Sequence, residues 1–102
     1  MELLERGGKV KKITSETLIK RDVKRYLALK GWFCFPVLQG LGAHKGIADM
    51  IACKDTRSMF IEIKTPRGRQ SPDQIIFQQN IEATGNRYMV VRGLDDLING
   101  WI

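Results

Sequence analysis

Two apolar runs stand almost back to back in this chain, Asp49-Met50-Ile51-Ala52-Cys53 and Met59-Phe60-Ile61-Glu62-Ile63-Lys64. They read as consecutive strands, with Lys54-Asp55-Thr56-Arg57 as the turn of a hairpin between them. Alternate residues of a strand share a face. Glu62 and Lys64 therefore point one way, Ile61 and Ile63 the other, and the hairpin brings Asp49 beside Glu62. A charged pair set into an otherwise apolar strand next to a second carboxylate constrains the fold: these strands belong to a sheet whose end carries polar chemistry.

The remaining elements are arranged around that sheet. Residues 15 to 30 predict a helix capped by Thr14 or Ser15, with Glu16 favoured in its first turn by the helix dipole. Ile19, Val23, Tyr26 and Leu27 form its apolar stripe, which Glu16 shares by spacing, and Gly31 ends it. Trp32 to Leu38 predicts a first strand that Pro36 marks as an edge. The loop Gln39-Gly40-Leu41-Gly42-Ala43-His44-Lys45-Gly46 follows, suited to close backbone approach. After the basic turn Thr65-Pro66-Arg67-Gly68-Arg69-Gln70, a second helix opens with Ser71 as cap, Pro72 at its first position and Gln74 completing a capping box. Its apolar side carries Phe77, Ile81 and Thr84. Tyr88 to Val91 predicts a fourth strand and Leu94 to Trp101 a short last helix. The order is αβββαβ(α), an α/β fold in which a central mixed sheet of about four strands is flanked by helices. Residues 1–13 read as a basic N-terminal arm and 14–102 as a single domain, consistent with a length of 102 residues. Trp32, Phe33 and Phe77 are expected in the core, and Trp101 in the core or a dimer contact.

Composition narrows the class. A net charge of +6 favours a polyanionic partner, nucleic acid foremost. Cys34 and Cys53 lack CxxC spacing and read as buried, reduced core residues of a cytosolic protein. Nothing resembles a signal peptide, and the longest apolar run, Trp32 to Leu38, is far too short to span a membrane. A GxxxxGK[ST] loop is missing, which argues against a nucleotide cofactor, and one histidine does not supply an HNH-type site. The two carboxylates Asp49 and Glu62 suit a hard divalent cation such as Mg²⁺, and a neighbouring lysine can orient or activate a water. Those are parts for metal-assisted phosphodiester hydrolysis.

Taken in order, Glu16 on an early helix, Gly46-Ile47-Ala48-Asp49, Ile61-Glu62-Ile63-Lys64, Ser71-x-x-Gln74 and Thr84-Gly85 resemble the VRR-NUC domain, the virus-type replication-repair branch of the PD-(D/E)xK nucleases. The likeness runs from about residue 14 to residue 92, with Ala48 standing where the superfamily often has proline. The resemblance implies a restriction-endonuclease-like core with its site at one sheet edge. It implies Asp49 and Glu62 as ligands of Mg²⁺ or Mn²⁺, joined by the Ile63 backbone carbonyl and by Glu16 directly or through water. Lys64 would position or deprotonate the attacking water, and Gln74 would hold that water or Lys64. His44, Lys45, Arg67 and Arg69 are expected to bind DNA phosphates. Stand-alone domains of this kind look like homodimeric Holliday-junction resolvases from phages and bacteria, which places this chain in the cytoplasm of a bacterial cell or phage-infected host. Two other readings compete: a flap or single-strand-specific nuclease of the same superfamily, and a non-catalytic DNA-binding module that kept the fold.

Overall fold

The structure, a computed structural model, describes residues 2–4, 10–12 and 15–100. Within the arm, β1 (Glu2–Leu4) and β2 (Val10–Lys12) pair as a small antiparallel ribbon. The proposed cap Thr14, the Gly7-Gly8 break and Trp101 lie outside the described residues. Helix α1 (Ser15–Leu29) is followed by β3 (Phe33–Pro36), β4 (Met50–Lys54), β5 (Arg57–Ile63), α2 (Pro72–Ala83), β6 (Arg87–Val91) and α3 (Leu94–Ile98). The expected order is thus present, with a shorter last helix.

The main sheet runs β3-β4-β5-β6. The β3-β4 and β4-β5 pairs are antiparallel, and β6 joins β5 in parallel after crossing over through α2. A parallel pair cannot be closed by a tight turn, and the amphipathic segment after Ser71 supplies the crossover. Period-two alternation sorts the side chains. Met50, Ala52, Met59, Ile61 and Ile63 pack with Val23 and Leu27 of α1 and Leu97 of α3. On the other face Ala48, Phe77 and Tyr88 are buried, with Phe60 and Val90 packed against them under α2.

Several expectations are corrected here. Phe33 is 69% exposed, because β3 is an edge strand and its outward residues meet no second layer; it stacks on Phe35 instead. Cys34 and Cys53 are only half-buried. Cys34 pairs with Ala52 across the ladder, so Cys53, the next residue, points to the opposite face and the two thiols cannot be bridged. Burial pushes the Cys34 thiol up from its ordinary value, keeping it protonated beside Met50 Sδ at 3.4 Å. Thr84 is exposed rather than part of the apolar side of α2; its hydroxyl donates to the Ile81 carbonyl at the helix end.

The β4-β5 hairpin closes with Lys54 opposite Arg57, leaving Asp55 (φ 49°) and Thr56 (φ 65°) as a two-residue turn with both in the left-handed region. A β-branched residue is poorly suited to that region. Thr56→Gly is expected to stabilise the protein by about 0.5–1 kcal/mol, the relief of strain being partly offset by the greater freedom of glycine in the unfolded chain. Differential scanning calorimetry checks this: an unchanged or lower melting temperature would show that the turn carries no such strain.

Candidate active site

The site forms where β4 begins and β5 ends. Asp49 directly precedes β4, and its amide donates to the Ile61 carbonyl at 3.0 Å. That bond is one residue out of the register that pairs Met50 with Ile61. Where the ladder slips, the Asp49 side chain continues it: Oδ2 accepts the Ile63 amide at 2.7 Å. In a strand the N–H and C=O of one residue project to the same side, so the Ile63 carbonyl also faces the Asp49 edge. The Asp49 side chain is 15% exposed, and Oδ1 is the oxygen outside that hydrogen bond, with the Lys20 ammonium 3.6 Å away.

Glu62 is the only charged side chain among the described residues that is fully buried. The ion pair with arginine that a strand glutamate often makes is not what holds it. Its Oε1 accepts the Tyr88 hydroxyl at 2.6 Å and the Gln70 amide at 3.2 Å, while Gln70 also donates to Gln78 Oε1 at 2.8 Å. Burial first, and then the bond to Glu62, push the Tyr88 phenol far above its ordinary range, so it remains a donor. Glu62 Oε2 is buried with no hydrogen-bond partner. Such an atom costs free energy unless something with positive charge meets it.

A common division of labour results. In each of Asp49 and Glu62 one carboxylate oxygen is fixed by hydrogen bonds; of the other two, Asp49 Oδ1 meets the Lys20 ammonium and Glu62 Oε2 has no partner. Among the described residues no three His, Cys, Asp or Glu side chains gather as a complete metal cage. Mg²⁺ does not need one, since it is ordinarily held by one or two carboxylates together with waters and substrate phosphates. Two carboxylates at the strand end that also carries the Ile63 carbonyl are the oxygen donors such an ion takes.

The other expected residues take varied positions. Glu16 lies in the first turn of α1 but is half-exposed rather than buried with the stripe, because it sits at the open end of the helix. It reaches Asp49 only through Lys20, whose ammonium lies 3.7 Å from Glu16 Oε1 and 3.6 Å from Asp49 Oδ1. Lys64 is half-buried just past β5. Gln74 completes the capping box: its Oε1 accepts the Ser71 backbone N–H at 2.8 Å, and its own backbone N–H donates to Ser71 Oγ at 3.2 Å. Gly46 fits the loop of His44 and Lys45 directly against the N-terminus of α2, where a Cβ would lie 2.2 Å from the Asp73 carbonyl oxygen. The His44 ring stacks toward Phe77 at 5.6 Å. Arg67 and Arg69 are exposed in the connection after Lys64, where the Arg92 guanidinium holds the Gly68 carbonyl at 2.9 Å. His44, Lys45, Arg67 and Arg69 thus flank the N-terminus of α2 and the Lys64 strand end.

Sequence reasoning missed Gln70 and Tyr88, which hold Glu62, Gln78, which supports Gln70, and also Lys20. The signals were slight: Lys20 follows Glu16 by one helical turn, and Gln70 and Gln78 stand among other polar residues. A surface hollow of about 350 Å³, lined by Arg57, Ser58, Asn86 and Arg87 among others, lies at the opposite end of β5 and is lined by no carboxylate.

No protein-family model matches the sequence, and no curated protein does. A solved VRR_NUC domain superposes with a TM-score of 0.77 over 88% of this chain and 100% of that one, at 20% sequence identity. The chain therefore has the restriction-endonuclease-like α/β fold of a VRR_NUC domain, as the order of its motifs implied.

Proposed function

We propose that this chain is a divalent-metal-dependent nuclease that hydrolyses phosphodiester bonds in DNA. The observation that carries the reading is the buried, unpartnered Oε2 of Glu62, one residue from Ile63, whose amide holds the Asp49 carboxylate. A functional site is where a fold tolerates such a cost.

In this reading Asp49, Glu62 and the Ile63 carbonyl hold Mg²⁺ or Mn²⁺, with Glu16 contributing directly or through water. A bound ion there would neutralise the carboxylates, bind the scissile phosphate and stabilise the leaving oxygen. The chain's own groups do the rest. Lys64, two residues after Glu62 and just past β5, positions or deprotonates the attacking water, or faces the developing phosphorane charge. Gln74 offers its Nε2 group to that water, its Oε1 being engaged at the helix cap. His44, Lys45, Arg67 and Arg69 bind phosphates and fix the path of the strand without reading its sequence. Tyr88 and Gln70 keep Glu62 oriented.

The finer assignment is an endonuclease on Holliday junctions or related branched DNA, acting as a homodimer whose two sites cut symmetrically. It rests on the motif resemblance. A cleavage panel in Mg²⁺ and Mn²⁺ tests it, with four-way junction, splayed arm, 5′-flap, duplex and single strand as substrates and light scattering for mass. Paired symmetric cuts by a dimer are expected. Preference for a flap or single strand, or a monomer mass, would discard the resolvase assignment and keep the nuclease; binding without cleavage on every substrate would favour a DNA-binding module.

A further inference from the structure

Lys20 has no part in the roles given so far. Its spacing from Glu16 makes an ordinary helix-surface pair, and that contact alone would mean little. The second contact is different in kind. It crosses from α1 to the start of β4, and it falls on Asp49 Oδ1, the oxygen that the Ile63 amide leaves open. The ammonium thus sits between two carboxylates at the edge where a cation is expected, at 3.6 and 3.7 Å.

We propose that Lys20 is a tethered cation of this site, which neutralises Glu16 and Asp49 Oδ1 until a divalent ion takes its place. The proposal rests on the nuclease reading above. Asp49 does not need Lys20 to be oriented, because Oδ2 is already fixed by the Ile63 amide. Removing the ammonium therefore frees the metal-facing oxygen without disordering the ligand. Lys20 is 38% exposed, so it can withdraw into solvent on its flexible stem when displaced, and its pairings are weakened by water. The competition it offers is accordingly modest and depends on salt.

Titration of Mn²⁺ into the metal-free protein at low salt, without DNA, tests this with Lys20→Met and Lys20→Arg beside the wild type. Circular dichroism confirms that each is folded. Lys20→Met is expected to bind Mn²⁺ about three- to tenfold more tightly, as two partly solvated ion pairs no longer have to be broken. Lys20→Arg, which keeps the charge, is expected to stay within about twofold of wild type or bind more weakly. The advantage of Lys20→Met should shrink as salt rises. Equal or weaker binding by Lys20→Met while the wild type binds Mn²⁺ would overturn the role of Lys20 and leave the metal site standing. Absence of Mn²⁺ binding in all three proteins would instead overturn the metal reading, and this proposal with it.

Discussion

Glu62→Gln is expected to remove DNA cleavage while raising the melting temperature of the metal-free protein. The two effects have one cause. Glu62 is fully buried, two neutral donors share its Oε1, and Oε2 has no partner. A buried charge held this way costs free energy that neutral donors offset only in part. Glutamine keeps the shape and still offers a carbonyl to Tyr88 and Gln70; its NH2 takes the unpartnered place of Oε2, but a neutral group costs less to bury than a charge. The expected gain is about 1–2 kcal/mol, or a rise of several degrees for a domain of this size. In the proposed nuclease the same change also withdraws a ligand oxygen. With several kcal/mol of transition-state charge stabilisation lost, cleavage should fall by about a thousandfold or more. Calorimetry in a chelator and a cleavage assay in Mn²⁺ check the pair of effects. A variant that is both inactive and less stable would mean that Glu62 is held for structure; one that is more stable and still active would mean that it is not a ligand.

Gly46→Ala is expected to be among the most damaging single-methyl changes in the described structure. At φ 75° a Cβ would stand 2.2 Å from the Asp73 oxygen, 2.3 Å from its carbonyl carbon and 2.7 Å from the Gln74 nitrogen. All three are backbone atoms at the start of α2, so no side chain can rotate away. Strain at a positive φ adds to the clash, and the loss should reach about 3 kcal/mol. Relief requires the helix start to move, and with it the Ser71–Gln74 capping box and Gln78, which supports Gln70 on Glu62. Activity should therefore fall together with stability. Gly42→Ala is the control: its φ is 87°, but nothing lies within 4 Å of the added Cβ, so only the backbone strain remains. A melting temperature for Gly46→Ala no lower than that of Gly42→Ala would show that the loop does not press on α2.

Much of this was legible in the sequence because it depends on local pattern. The period-two runs around Asp49 and Glu62 fixed the two strands and the side on which each residue points, and the Ser71-Pro72 start placed α2 within a residue. The stripe of α1 identified Val23 and Leu27 as core. What escaped depends on tertiary neighbours. Phe33 looked like core because aromatic residues usually are, but the edge position of β3 leaves it uncovered. Glu16 shares the spacing of the buried stripe yet stands beyond the sheet's cover. Tyr88 could be read as strand core, and it is buried, but its hydroxyl reaches Glu62 only because β6 lies in parallel register with Glu62 opposite Val90. Gln74 was open between capping and site roles; the capping box is present, while Gln70, four residues earlier, is the glutamine that touches Glu62.

The helix α2 follows from the same division between stability and site. Only Phe77 of its residues is buried, and Ile75 and Ile76 are 43% and 53% exposed. Its polar flank carries Gln74 and Gln78 instead, as a helix does when one side serves a site rather than the core.

The most direct test of the cation site is calorimetric titration of Mn²⁺ into wild type and Glu62→Gln, both metal-free and without DNA. The account predicts saturable binding by the wild type and binding weakened by at least about tenfold in the variant. Equal affinity in the two proteins would contradict it, because the unpartnered oxygen of Glu62 would then have no part in holding the ion.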